Sequence, residues 1–447
     1  MDIKLDRKLF FKIYIIVLAT LSALLHLRDN SGEDIARSRS SYQSGQGSDF
    51  LGGFASVFYA SIPNLFFEWW QYLIAIQAGL ASFGIYLLLM NIIENTDIKH
   101  FIVTMIFSYL VLNLAVAQTR DGIMIAITFL TLGIMNQRKQ NKFLFIVWAT
   151  SFVIAFTFRP WLAFAIFPLL FFYLRHRTLL KLPATIICCI LLVTAPSIVE
   201  LFVTREFSIK PGYPQQTVMI HDLASTLCLS PIPKTREMAY KGLVKLANDE
   251  DSFKKLCNHY KPNTWQSSIT PNPLDPMMPS LVPPLVTIRP GDEVSYQILK
   301  SNWVKMIISD PKSYLQNHLF FLTQVLLSGE SPSFTLKSSF TDLSANSRPI
   351  DFLYVGRDLY DLPWKISIQL HFLSPVFTYA FLVILYTRRS SVITRPILFY
   401  LFCVLTIWIS IITLGYVSDN GRYTYLPSLV IYGQILIELN RAKRSVV

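Results

Sequence analysis

The chain has 447 residues, 52% of them hydrophobic and only 15% charged, with a mean hydropathy of +0.43. A soluble globular protein carries about 25% charged residues, so the deficit excludes an ordinary water-soluble domain and makes lipid the solvent. The net charge of +12 does not point to nucleic acid, because the Lys and Arg residues are not gathered into one patch but fall largely in short loops between apolar runs.

A spanning helix needs about 20 predominantly apolar residues. Segments 9–27, 69–92, 101–117, 122–136, 143–158, 160–174 and 182–203 meet or approach this, and after a polar interval so do 366–386, 396–416 and 424–439. The expectation is an all-α polytopic membrane protein of about 10 transmembrane helices. Seven spans form an N-terminal module, 1–205, with a first outer loop at 28–68. Residues 206–365 form an extracytoplasmic domain of mixed or irregular structure, and 366–447 form a three-span C-terminal module. The first apolar run lacks a small-residue cleavage site and continues into Arg28-Asp29-Asn30, so it reads as a retained anchor rather than a cleaved signal. Segments 122–136 and 160–174 are short, which suggests a thinned bilayer or a polar cavity beside them.

Charge sets the orientation. Loops 137–142, 175–181 and 387–395 and the tail 440–447 are basic, as is the N-terminus with Lys4, Arg7, Lys8 and Lys12. The positive-inside rule places them all in the cytoplasm. An even number of spans then returns the C-terminus to the same side. Loops 28–68, 118–121, 159 and 417–423 face outward with the 206–365 domain.

Within that domain, the stretch 263–291 holds seven prolines and should be irregular. Residues near 312–328 are apolar but include Asn317 and His318, and read as an amphipathic helix lying at the interface. Cys228 and Cys257 both fall here. They could pair if the compartment is oxidising, and two free thiols fit the spacing equally well. Cys188, Cys189 and Cys403 lie in apolar runs and read as packed thiols.

The informative charges cluster on the outer face. Asp49 lies in a glycine-containing loop ahead of an apolar stretch, and a carboxylate entering the membrane boundary suits a general base; equally, it could cap the next helix. Glu33 and Asp34 are rivals nearer a solvated run. Thr119-Arg120-Asp121-Gly122 joins two spans with almost no loop. Arg120 and Asp121 could pair with each other, or Arg120 and the helix N-terminus could hold an anion. Arg159 and Arg422-Tyr423 mark further span ends. One arginine at a span end is ordinary snorkelling, but three on one face suit a phosphate, which the planar guanidinium grips with two bonds. His221-Asp222 is an adjacent pair in the outer domain that could be a plain surface pair. No HExxH, P-loop or GxSxG pattern is present, and no metal-ligand spacing.

Taken in order, Tyr42 to Asp49, Arg120-Asp121, Arg159, His221-Asp222-Leu223-Ala224 and Arg422-Tyr423 resemble the pattern of bacterial membrane glycosyltransferases of the GT-C superfamily. The nearest kind is the serotype-converting O-antigen glucosyltransferases. The resemblance implies a GT-C-like fold in the cytoplasmic (inner) membrane with its site facing the periplasm. It implies a polyprenyl-phosphate-linked sugar as donor and a lipid-linked polysaccharide, the lipopolysaccharide O-antigen, as acceptor. It implies Asp49 as base, Arg120, Arg159 and Arg422 as donor-phosphate ligands, and Asp121, His221, Asp222 and Tyr423 in support. No metal and no cofactor is expected, since the lipid-phosphate sugar is a substrate; membrane lipids are partners and nucleic acid is not. Two departures stand out. Many relatives carry His-Pro soon after the Asp, where this chain has Phe50-Leu51-Gly52-Gly53, and many carry Lys where this chain has Arg120. The alternatives are a repeat-unit polymerase of O-antigen or capsule, and a lipid-sugar flippase or transporter. A transporter should show repeated halves with broken midplane spans, and neither is evident here.

Overall fold

The structure is a computed structural model. It describes residues 6–26, 53–65, 71–93, 98–116, 120–137, 142–177, 181–209, 216–244, 256–259, 269–270, 286–287, 293–327, 372–387, 395–414 and 422–445. Among the described residues the regular elements are helices apart from one two-residue parallel strand pair, β1 (Ile269–Thr270) with β2 (Val286–Thr287). The described regular elements of the 206–365 block, expected to be mixed or irregular, are helices and that strand pair. Most of the proline-rich stretch 263–291 lies outside the described residues.

The N-terminal module contains α1 (Arg7–His26), α2 (Gly53–Leu65), α3 (Gln71–Ile93), α4 (Ile98–Ala115), α5 (Arg120–Met135) and α6 (Lys142–Thr157). A 3-10 helix (Pro160–Ile166) runs directly into α7 (Phe167–Arg177), and α8 (Leu182–Glu206) follows. The 160–174 segment is thus a composite of two helix types. Pro160 supplies the fixed φ of a first helical turn but no N–H. The outer block holds α9 (Gln216–Leu229), α10 (Pro233–Leu243), α11 (Leu256–His259), α12 (Glu293–Ser309) and α13 (Pro311–Leu327). The chain closes with α14 (Pro375–Thr387), α15 (Arg395–Leu414) and α16 (Arg422–Ser445).

Among the described residues, four helices are long and apolar enough to cross a membrane: Leu73–Met90, Ile98–Ala115, Leu182–Glu206 and Arg395–Leu414. Asp121–Met135, Lys142–Thr157, Pro160–Arg175 and Pro375–Thr387 are apolar but shorter. The outward face of α8 is compatible with a lipid surround. Ile187, Ile190, Leu191, Ile198, Leu201 and Phe202 are all exposed on it. Contiguous apolar surface of this kind is rare on soluble monomers. Pro196 sits inside α8 and is buried with Val193. Apolar surroundings tolerate such a proline when neighbours satisfy the freed carbonyl.

The bundle's centre is the α3–α5 crossing. A Cβ at Gly84 would lie 2.4 Å from the Leu130 backbone nitrogen, and one at Gly133 would lie 2.5 Å from the Gly84 carbonyl oxygen. The two backbones touch because neither glycine has a side chain. Further along, the Asn136 side-chain amide donates to the Leu88 carbonyl (3.0 Å) and that of Gln137 to the Leu87 carbonyl (3.2 Å). Residue numbers rise together along both helices, so α3 and α5 run parallel.

This register and the other contacts sort helix ends into two sets. Arg159, after α6, meets Asp121 at the start of α5. Phe158 meets Phe54 and Phe58 at the start of α2. Glu200, near the end of α8, binds that same start. Tyr400, early in α15, packs on Phe171 and Phe172 of α7, well beyond Pro160, so α15 ends on the side of Arg159. The opposite end collects the helix termini bearing Lys142, Arg175, Lys181 and Arg395. Phe10 of α1 packs against Phe101 of α4, which places Arg7 and Lys8 there too. Among the described residues, Arg7, Lys8, Lys142, Arg175, Lys181 and Arg395 thus lie toward one end of the bundle, and the Asp121–Arg159 turns lie at the other.

The outer block has a core of its own, formed by Met219, Ile220, Leu223, Leu243, Leu299 and Met306 among others, distinct from the large bundle core. Cys228 and Cys257 form a disulfide that joins α9 to α11 across 29 residues.

Candidate functional site

Asp121 occupies the first turn of α5, where the positive end of the helix dipole favours an anion. Its carboxylate accepts two hydrogen bonds from Arg159, from Nε at 2.9 Å and from Nη2 at 3.2 Å. Both side chains are buried, at 7% and 8% exposure. Arg159 is held at the junction of α6 and the 3-10 helix. Its N–H donates to the Phe156 carbonyl, its own carbonyl accepts from Leu162, and the following Pro160 keeps its backbone out of the helical region (φ −149°, ψ 72°). Asp121 thus finds its partner 38 residues away, and the two turns close into one buried ion pair.

Helix α2 lies beside this pair. Phe54 and Phe58 meet Phe158 edge-on, with ring centroids 5.1 Å and 5.2 Å apart. The start of α2 is fastened by Glu200 of α8, whose two carboxylate oxygens accept the N–H groups of Gly53 and Phe54, the latter at 2.9 Å. Gly53 allows this approach, since a Cβ there would lie 2.3 Å from Thr204 Oγ1. Sequence reasoning missed Glu200. The signal was present all the same, because a carboxylate inside a long apolar run demands a partner.

The third cluster joins the outer block to the bundle. Asp222 of α9 accepts a hydrogen bond from Trp303 Nε1 of α12 at 2.7 Å and faces His318 Nε2 of α13 at 3.3 Å. At that distance the Asp222–His318 contact is an ion contact rather than an aligned hydrogen bond. His318 Nδ1 lies 3.0 Å from the Thr413 carbonyl at the end of α15. A carbonyl only accepts, so Nδ1 carries the hydrogen. The Tyr314 ring packs against His318 in a tilted arrangement, with centroids 4.3 Å apart. Burial, with the Asp222 carboxylate adding to it, pushes the Tyr314 hydroxyl up to about 12. His221, Asp222 and His318 are 2%, 1% and 3% exposed. Burial first, and the neighbouring His318 second, lower His221 from its usual 6.5 to about 4. His221-Asp222 is therefore no surface pair. His318, noticed in the sequence only as an interruption of an apolar segment, is its partner.

Asp49 and its rivals Glu33 and Asp34 lie outside the described residues, as do the side chains of Arg120, Arg422 and Tyr423. Arg120 begins α5 and Arg422 begins α16. Among the described residues no group of three or more His, Cys, Asp or Glu side chains has the geometry of a metal site. The arrangement provides a buried Asp–Arg brace, a carboxylate-clamped helix start beside it, and a polar hinge under the outer block. No protein-family model matches the chain, and no curated protein or solved structure matches it either.

Proposed function

We propose that the chain is a bacterial inner-membrane glycosyltransferase of the GT-C type. It moves a sugar from a polyprenyl-phosphate donor to a hydroxyl of a lipid-linked surface polysaccharide at the periplasmic face. The ten-span topology and the modules 1–205, 206–365 and 366–447 belong to this reading. The observation that carries it is the gathering of Asp121, Arg159 and the start of α2 at the bundle end opposite the basic termini. Under the positive-inside rule that end faces outward. The Cys228–Cys257 disulfide supports an oxidising compartment for the adjoining block.

The chemistry follows from the residues. A lipid-linked donor cannot leave the bilayer, so the site must open at the membrane surface. The acceptor O–H attacks the anomeric carbon as the bond from that carbon to the phosphate oxygen breaks. Asp49 takes the hydroxyl proton, and the lipid phosphate leaves with the bonding pair. Arg120 and Arg422 supply the fixed positive charge that stabilises the departing phosphate. Arg159 contributes its fixed positive charge at the same end of the bundle, while Asp121 fixes its orientation. His221, Asp222 and Tyr423 act in support, the first two by seating the outer block over the site.

The test is transfer by the full-length protein in membranes, with Asp49→Asn against Asp34→Asn. An amide cannot accept the proton, so Asp49→Asn loses about 10²–10⁴ in rate, the usual contribution of a positioned base, while Asp34→Asn retains activity. The reverse result moves the base to Asp34. Full activity in both variants overturns the mechanism.

A further inference from the structure

We propose that the second half of α13 is sunk in the outer leaflet of the bilayer, with lipid acyl chains against its Leu319–Phe320 flank, and that it pins the outer block to the membrane at the level of His318. The inference needs the bundle to span a membrane, but it stands whether or not the chain transfers a sugar.

Surroundings change along α13 rather than around it. A helix lying at the interface keeps one apolar face along its whole length. Here Tyr314, in the first half, packs on the core of the outer block and meets Trp303 edge-on. Phe321 and Val325, in the second half, are buried in the core of the bundle. The exposed side changes at the same place. Before His318 it carries Pro311, Lys312, Leu315 and Gln316; after it come Leu319, Phe320 and Thr323. Among the described side chains of α13, the exposed cation and amide therefore precede His318. The Thr323 hydroxyl donates to the Phe320 carbonyl at 2.7 Å, so its hydrogen is satisfied without water.

Neighbouring helices set the depth. His318 bonds the Thr413 carbonyl in the last turn of α15. The 20 residues of α15 extend about 30 Å, the thickness of the hydrocarbon layer, so Thr413 and His318 mark the outer surface. Helix α13 packs against both α15 and α14, and α14 starts below that surface. The Tyr432 hydroxyl donates to the Phe372 carbonyl at 2.8 Å and Ser428 Oγ to the Leu373 carbonyl at 3.1 Å, which holds the turn before α14 beside these two residues of α16. The next residue, Gly433, stands at mid-depth. A Cβ there would meet Phe107 at 3.2 Å and Phe129 at 3.7 Å. Those rings lie nine residues into α4 and α5, which start from opposite ends of the bundle, so each is about 13 Å from its own end. The start of α14 is thus inside the bilayer, between the outer surface and the midplane. From Leu319 to Leu327, α13 extends about 13 Å, enough to reach that level. Its Leu319–Phe320 flank then joins a surface of the same kind, with Val376 and Phe377 of α14 and Leu414 of α15 also exposed, and acyl chains are what covers such a surface at this depth.

The experiment attaches a nitroxide to Lys312→Cys, Gln316→Cys, Phe320→Cys or Thr323→Cys, one at a time, in the full-length protein. Cys188, Cys189 and Cys403 are replaced by Ala, and the Cys228–Cys257 disulfide is kept. The protein sits in phosphatidylcholine–phosphatidylglycerol nanodiscs, and collisions with oxygen and with a water-soluble nickel chelate report depth. Labels at 312 and 316 should meet nickel, and labels at 320 and 323 should meet oxygen. Depth should grow by about 10 Å from 316 to 323, the rise of seven helical residues. Equal depth at 316, 320 and 323 overturns the proposal, because the helix then lies flat on the surface. Nickel access at all four positions overturns it as well, because the helix is then in water. A second measurement needs no substitution. Wild-type protein in nanodiscs is illuminated with a phospholipid that carries a diazirine midway along an acyl chain. Tagging of Leu319, Phe320 or Thr323 supports the inserted half-helix. Tagging of the exposed flank of α8 with none at these three residues overturns it, even where a labelled variant fails to fold.

Discussion

Acid should loosen the joint between the outer block and the bundle through His221. This ring is 2% exposed and lies near His318. Its folded form is neutral, with a value of about 4 against an ordinary 6.5. Between those values the unfolded chain takes up a proton that the folded chain refuses. Stability is therefore full above about pH 6.5 and falls as the pH drops toward 4. Each tenfold rise in proton concentration across that window costs about 1.4 kcal/mol. Complete acidification through it removes about 3 kcal/mol, a large part of the roughly 5–15 kcal/mol that a typical native protein holds. The assay is thermal unfolding of the full-length protein in nanodiscs at pH 7.5, 6.0, 5.0 and 4.5, for wild type and His221→Phe. Carboxylates elsewhere titrate equally in both, so the difference in slope isolates His221. The wild-type midpoint should fall more steeply than that of the variant below pH 6.5. Parallel slopes would refute the claim that this ring is buried in its neutral form.

Three further outcomes follow from the same geometry. Gly84→Leu should destabilise the bundle by about 1–3 kcal/mol or more, the cost of overpacking, because its Cβ would meet the Leu130 backbone. Gly79→Leu on the same helix has open space and should be tolerated, as thermal unfolding would show. Asp121→Leu leaves the Arg159 charge buried without its carboxylate and should cost about 3–5 kcal/mol. The double variant Asp121→Leu/Arg159→Met should recover most of that stability without recovering transfer. In intact cells, an impermeant thiol reagent should reach single cysteines at positions 250 and 345 but not at 140, in a background lacking the native cysteines; labelling at 140 alone would reverse the orientation.

The apolar runs were legible because a membrane helix declares itself locally. It must satisfy its own backbone and cover itself with carbon, so length and hydropathy alone mark it. The described helices α1, α3 to α8, and α14 to α16 fall on the runs read from the sequence, and the basic termini share one end of the bundle. Pairing was not legible. Asp121 pairs with Arg159, 38 residues away in the chain. Asp222 has His221 beside it, yet it faces His318 and Trp303, 96 and 81 residues on. Adjacent residues on a helix point in different directions, so neighbours in sequence rarely share a partner. The helical core of the outer block was hidden for a related reason. Its apolar positions in α9, α10 and α12 are few per helix and become a core only when the three helices meet. Glu200 shows the division most clearly. The sequence determined that a carboxylate stands in an apolar helix, and desolvation dictates that it be paired. Only the tertiary structure could decide that its partner is the start of α2, because the two segments are brought together by chain packing and no local pattern encodes that contact.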